Sequence, residues 1–111
     1  MTTERSLLAS LILSGSCLHV QAQVTYVDKK VSVLQGFYDG ADCIFFKLEG
    51  VSQADPIKAN DPTFAISRTQ PGAKDAYALL MMAKVTGVAP LVRTRGNLIC
   101  GYAGVAEIIL Q

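Results

Sequence analysis

The sequence predicts a mainly β domain that carries one helix. Short runs rich in Val, Ile, Tyr and Phe alternate apolar with polar residues, as half-buried strands do. One stretch, from Gln70 to Gly87, is rich instead in Ala, Leu, Met and Lys, which are strong helix formers. A chain of 111 residues makes one domain with a small core, so these elements are expected to form a single unit.

Residues 1–22 have the pattern of a secretory signal. A short apolar run spans Leu7 to Leu13, and small or apolar residues precede the expected cleavage point. Cys17 leaves a lipoprotein open as the alternative, although Ser14 stands where a lipobox has an aliphatic residue. The sequence therefore predicts a secreted or periplasmic domain over residues 23–111.

The mature chain is poorly equipped for catalysis, because its one histidine, His19, leaves with the signal. Ser-His-Asp and Cys-His arrangements are then excluded, and a metal site loses its commonest neutral ligand. Arg5 and Glu4 also leave, so 9 Lys and Arg balance 8 Asp and Glu without a basic run, which argues against nucleic acid as a partner. The loop aspartates are interpreted as turn formers: Asp39, Asp42, Asp55 and Asp61. The sequence therefore predicts no enzyme, no cofactor and no metal site.

Two cysteines remain after cleavage, Cys43 and Cys100. A small exported domain commonly needs a covalent staple, so a disulfide between them is expected. The bond would close more than half of the mature chain, which is worth about 4 kcal/mol in the chain-entropy model. Because the two cysteines lack Cys-x-x-Cys spacing, nothing supports the alternative of a reactive thiol pair.

Five runs are predicted as strands, separated by turn signals. Tyr38-Asp39-Gly40 marks one turn, and two Asp-Pro pairs mark the loop from Gly50 to Pro62. Asp28-Lys29-Lys30 is expected to bend or bulge the first run. The predicted strands are Val24–Leu34, Cys43–Leu48, Thr63–Ser67, Leu91–Arg95 and Tyr102–Leu110.

Alternation in the second predicted strand assigns its two faces. One face carries Ile44, Phe46 and Leu48, and the other carries Cys43, Phe45 and Lys47. The same reasoning along the other elements predicts a core that contains Phe46, Leu48, Ile66, Leu80, Val92 and Ile108.

The helix is expected to begin at Pro71, which suits a first turn, with Thr69 as its cap. Lys84 lies in the predicted last turn, and Gly87 follows as a left-handed stop. Eight consecutive apolar residues, Ala76 to Ala83, are more than one buried face requires.

This excess leaves two interpretations of the helix. Either it lies in a deep groove of a monomer, or it is buried on both sides, with one side at a subunit interface. On the second interpretation, Leu79, Met81 and Met82 are the interface residues. A head-to-tail contact repeated around a closed ring would cover them and would also satisfy exposed sheet edges.

The order of elements, β-β-β-α-β-β, is that of the OB-fold, a five-stranded antiparallel barrel with a helix between strands three and four. Four segments carry a resemblance: Asp42-Cys43-Ile44, Phe64 to Arg68, Ala83 to Gly87, and Val92-Arg93. They resemble the B subunits of the subtilase-cytotoxin and pertussis-like AB5 toxins. The resemblance implies a secreted homopentamer that binds a cell-surface glycan, with or without a toxin A subunit.

The resemblance also points to candidate glycan-binding residues, Ser67 and Arg68. A guanidinium at this position could pair with the carboxylate of an acidic sugar through two hydrogen bonds, or it could be a solvated arginine at a strand end. Tyr26, Tyr38 and Tyr102 could stack on sugar rings or belong to the core. Two other functions stay open: a secreted or periplasmic inhibitor or protein-binding OB domain that binds no sugar, and a structural oligomer without a ligand.

Overall fold

The computed structural model describes residues 23–111, so the predicted signal peptide and Cys17 lie outside the described residues. A mainly β chain with one helix is confirmed for this part of the chain. No helix within residues 23–111 is long and apolar enough to cross a membrane. The elements are β1 (Thr25–Tyr26), β2 (Val31–Gln35), β3 (Cys43–Leu48), β4 (Phe64–Ser67), α1 (Ala73–Thr86), β5 (Leu91–Ile99) and β6 (Tyr102–Ile109).

Five antiparallel strands are not confirmed, because the pairing forms one six-stranded mixed sheet in the order β1-β5-β6-β4-β3-β2. The predicted first strand is divided at the segment Val27–Lys30, which contains three charged residues, so β1 pairs with β5 and β2 pairs with β3. Between β4 and β6 the pairing is parallel, with Phe64 opposite Ala103, while the other neighbours are antiparallel.

The two edges of the sheet are joined by only four residues, Val27–Lys30. That link spans at most about 18 Å between the Cα atoms of Tyr26 and Val31. Six flat strands would place their edges about 24 Å apart. The sheet therefore curls strongly, although its hydrogen bonds do not close it into a barrel.

The core lies on the concave side of this sheet, beneath the helix. Five of the six predicted core residues are buried: Phe46, Leu48, Ile66, Leu80 and Val92. The sixth, Ile108, is half-buried and packs against the same cluster. Phe46 and Phe64 stack with ring centroids 4.8 Å apart. Burial of each large side chain stabilises the fold by about 1.5–3 kcal/mol, so this cluster is the main source of stability.

The start of α1 differs from the prediction, because Pro71 and Thr69 both precede the helix. Gly72 is its N-cap, in the left-handed region with φ 83°, and no side chain caps the helix. A tight turn closed by the Gln70 N–H and the Ser67 carbonyl (3.0 Å) delays the helix. Gly87 ends the helix as predicted, with φ 76°.

The hairpin between β5 and β6 is longer than predicted. β5 continues past Arg95 to Ile99, because an irregularity between Thr94 and Leu98 lets the strand continue through Gly96 (φ 84°). The chain then reverses at Cys100 (φ 52°) and Gly101 (φ 83°). Two consecutive left-handed residues are what a two-residue type I′ turn needs. This tight turn fixes where Tyr102 begins β6.

Candidate functional site

The predicted disulfide between Cys43 and Cys100 is present, with Cα atoms 6.7 Å apart. Cys43 is buried at the start of β3, and Cys100 lies in the tight turn that joins β5 to β6. Because β4 lies between β3 and β6, the bond crosses β4 on the convex side of the sheet. The disulfide therefore holds the hairpin tip, the turn at Cys100 and Gly101, against the outer face, which is the convex side of the sheet.

A second, smaller apolar cluster forms on the outer face beneath the hairpin tip. Cys43, Phe45 and Ala65 are buried there, with Tyr102 packed against them. The ring of Phe45 meets Tyr102 edge-to-face at 5.4 Å and meets Tyr38 edge-to-face at 6.0 Å. Three aromatic rings are thus assembled from three separate parts of the chain.

These rings line a groove of about 420 Å³, which is within the usual size of small-ligand sites. Phe45 and Tyr102 lie in it, and the half-exposed Tyr38 lines it from the loop after β2. Polar side chains also line the groove: Gln35, Lys47 and Thr63. The groove combines aromatic surface with an amide, an ammonium group and a hydroxyl, which suits a polar ligand that has an apolar face.

Lys58 fastens the hairpin tip from its other side. Its ammonium nitrogen lies 4.0 Å from the ring centroid of Tyr102 and donates to the Gly101 carbonyl at 2.7 Å. The same nitrogen lies 3.5 Å from a carboxylate oxygen of Asp61. Burial raises the pKa of Asp61, but the hydrogen bond from the Thr63 N–H and the charge of Lys58 outweigh it and lower that pKa overall. The carboxylate therefore stays ionised and holds Lys58 over the ring.

Ser67 lies at the end of β4, directly opposite Cys43. Paired residues of neighbouring strands point to the same side, so Ser67 shares the outer face with Phe45. Its hydroxyl is 2.8 Å from the Thr69 hydroxyl, and its N–H donates to the Gln70 side chain at 2.8 Å. Ser67 does not line the groove, and the prediction that it binds a glycan stays a prediction.

Arg68 is engaged by the protein itself. Its Nη2 donates to the Gly36 carbonyl, and its Nε lies 3.7 Å from the Asp42 carboxylate. These contacts tie both ends of the loop Gly36–Asp42, which carries Tyr38 to the groove. Arg68 thus supports the groove indirectly, and a direct contact with an acidic sugar stays a prediction.

The helix presents an apolar face away from the sheet. Of the three predicted interface residues, Met81 and Met82 are exposed on this face, while Leu79 is half-buried in a separate groove beside β6. Ala78 and Val85 complete the exposed face, and Val85 is 84% exposed. Sequence reasoning missed Val85, although it lies four residues after Met81 and so falls on the same side.

Two of the predicted turn aspartates hold their loop by their side chains. Asp55 accepts from the Ile57 N–H at 2.8 Å, and Asp61 accepts from the Thr63 N–H at 2.9 Å. Asp55 is also buried and accepts a hydrogen bond from the Thr94 hydroxyl. In residues 23–111, no group of three His, Cys, Asp or Glu residues could hold a metal ion.

No protein-family model and no curated protein matches this chain. Function is therefore inferred from the geometry of the described residues.

Proposed function

We propose that this chain is an exported glycan-binding subunit that works as a ring-shaped homo-oligomer of five copies. The observation that carries the proposal is the groove lined by Tyr38, Phe45 and Tyr102. Aromatic rings pack against the apolar C–H face of a sugar, while Gln35 and Lys47 can bond to its hydroxyl or carboxylate groups.

The topology supports an OB-type barrel in which the first strand is interrupted. If β1 and β2 are counted as one strand, the neighbours follow the circuit 1-2-3-5-4-1, with the helix between strands three and four. OB-folds bind oligosaccharides and oligonucleotides on the face of strands two and three, between the loops after strands one and four. The groove lies on β3 and between the corresponding loops, which carry Tyr38 and Cys100.

Charge favours a sugar over a nucleic acid as the ligand. The groove contributes one cation of its own, Lys47, whereas a nucleic-acid surface needs several basic residues in a patch or stripe. Lys47 makes no ion pair within residues 23–111, so its ammonium group is free to meet the carboxylate of an acidic sugar. Ser67, farther along the same face, would contact a second sugar of a longer chain.

The apolar helix face supports assembly. Met81, Met82 and Val85 are exposed together, and a ring contact would remove them from water. Five linked sites would raise the affinity for a glycan-coated surface well above that of one site. Such a ring could also carry a toxin A subunit.

A glycan array with the purified exported protein tests the binding proposal. We expect binding to a restricted set of glycans, and we expect Tyr38→Ala and Lys47→Gln to weaken it. Loss of one charge-assisted hydrogen bond should cost roughly tenfold or more in affinity. Arg95→Gln removes an exposed charge outside the groove and is the matched control. An array without any selective binding would contradict the proposal.

A further inference from the structure

The loop between β2 and β3 carries an exposed aromatic residue on a rigid support. Phe37 is 80% exposed, the highest fraction among the aromatic residues of the described chain. Arg68 binds the Gly36 carbonyl just before it, and the Gln35 side chain donates to the Phe37 carbonyl at 3.3 Å. A further hydrogen bond, from the Ala41 N–H to the Tyr38 carbonyl at 3.1 Å, closes the loop. The backbone at Phe37 is therefore held in place, so little backbone freedom is left to lose when the exposed ring binds.

The exposed apolar face of α1 is a surface on which an aromatic side chain such as Phe37 can bind. Ala78, Met81, Met82 and Val85 line a shallow apolar hollow, open to solvent, on the side of α1 opposite its buried residues. Methionine side chains adapt their shape and make favourable contacts between sulfur and aromatic rings. An aromatic side chain is therefore a suitable group to bind in this hollow.

The free charges near Phe37 and on α1 are of opposite sign. Asp39 is exposed two residues after Phe37, and Lys84 is exposed on α1, three residues after Met81. Neither side chain makes an ion pair within residues 23–111. Of the two carboxylates in the loop Gly36–Asp42, Asp42 already pairs with Arg68, so Asp39 remains as the free charge, whereas α1 carries two lysines and one aspartate. One chain thus presents both halves of a complementary contact.

We propose that Phe37 of one copy inserts into the methionine hollow of a second copy, with Asp39 beside Lys84 of that copy. The inference rests on the proposed assembly and names its contact. An exposed apolar group that fits a pocket elsewhere on the same molecule produces a repeated contact between copies. The contact joins Phe37 to Met81, Met82 and Val85 of the next copy.

Photo-crosslinking from position 37 tests this contact directly. Phe37 is replaced with p-benzoyl-phenylalanine, which keeps an aromatic ring and inserts into nearby C–H bonds on illumination. Labelled and unlabelled protein are mixed, so that mass spectrometry identifies crosslinks between copies. We expect these crosslinks to fall within residues 78–86. The same probe at Val27, which is 59% exposed on the β1–β2 link, is the control and should not mark this segment.

Charge reversal supplies a second, independent test. Asp39→Lys and Lys84→Asp should each weaken assembly about two- to fivefold, and the double variant should restore it. Phe37→Ser should weaken assembly at least about 30-fold, because it removes the buried anchor of the contact. Val27→Ser is the matched control and should leave assembly unchanged.

The outcomes separate this inference from the proposals on which it rests. If the protein is an oligomer but its crosslinks fall outside residues 78–86, the proposed contact is wrong, while the proposed ring still stands. A wild-type monomer overturns the contact and the ring, while glycan binding by the monomer is measured separately on the array. If a Phe37→Ser variant keeps the oligomeric mass of the wild type but no longer binds lipid vesicles, Phe37 contacts a membrane. That result would also overturn the inference.

Discussion

The ammonium group of Lys58 lies 4.0 Å from the ring centroid of Tyr102, although 44 positions separate the two residues in the sequence. The same group donates to the Gly101 carbonyl, so one side chain holds both the turn and the first residue of β6. On the opposite flank, the disulfide from Cys43 holds Cys100. The hairpin tip beside the groove is therefore fixed from two sides.

Removal of the Lys58 charge should loosen the hairpin tip. We expect Lys58→Met to speed hydrogen exchange of the Gly101 and Tyr102 amides and to weaken glycan binding, because the ring loses its cation and the turn loses a hydrogen bond. The cation–ring contact at a partly exposed site is worth about 0.5–1 kcal/mol. Lys58→Arg keeps the cation and should retain most of the protection. Unchanged exchange in Lys58→Met would show that the disulfide alone fixes the tip.

The two sides of α1 should respond differently to truncation. Leu80 is fully buried, so Leu80→Ala should lower the free energy of unfolding by roughly 2–5 kcal/mol. Met82 is 56% exposed, so Met82→Ala should change it by no more than about 0.5 kcal/mol in dilute monomer. Urea unfolding of both variants checks this. A larger loss for Met82 would mean that this methionine is buried within its own chain.

The close approach of Gly36 to the helix gives a prediction about the loop. A Cβ atom at position 36 would collide with the hydroxyl of Tyr77. Gly36→Ala should therefore destabilise the protein and shift the loop that carries Tyr38. Tyr77→Phe removes the hydroxyl and should reduce the cost of Gly36→Ala in a double-mutant cycle. If the two effects simply add, the cost of Gly36→Ala does not come from the Tyr77 hydroxyl.

Ionisation of Tyr26 should destabilise the folded protein at alkaline pH. Burial, with the nearby charge of Asp55, raises the pKa of Tyr26 above its ordinary value of about 10. The folded state therefore favours the neutral phenol, whose hydroxyl donates to the Gln53 carbonyl at 2.8 Å. This contribution is complete below about pH 10 and is lost as the pH rises through the folded-state pKa. We expect Tyr26→Phe to be less stable at neutral pH, and its deficit should shrink at higher pH in unfolding titrations.

Local pattern predicted the elements better than their assembly. Alternation in β3 correctly separated the core residue Phe46 from Phe45 on the other face, because strand periodicity is a local property. Gly96, Asn97 and Gly101 predicted a bend before the last strand, and the turn does lie at Cys100 and Gly101. The part played by Cys100 could not be predicted, since a non-glycine residue in the left-handed region leaves no clear sequence signal. The parallel pairing of β4 with β6 depends on contacts between distant parts of the chain, which composition does not reveal.

The candidate site shows the same division. Cys43 and Cys100 could be paired from the sequence, because only two cysteines follow the predicted signal. The groove could not be predicted from the sequence, because Tyr38, Phe45 and Tyr102 meet only when the hairpin tip folds across β4. The interface predicted from the apolar run stays a prediction, although Met81 and Met82 are both exposed.

Binding of a glycan in the groove on β3 can be checked residue by residue in a titration followed by amide chemical shifts. The isotopically labelled protein is titrated with the strongest glycan from the array. We expect saturable shifts at Tyr38, Phe45, Lys47 and Tyr102, with little change along the exposed side of α1. Shifts confined to residues 78–86, or no saturable shift at any concentration, would contradict it.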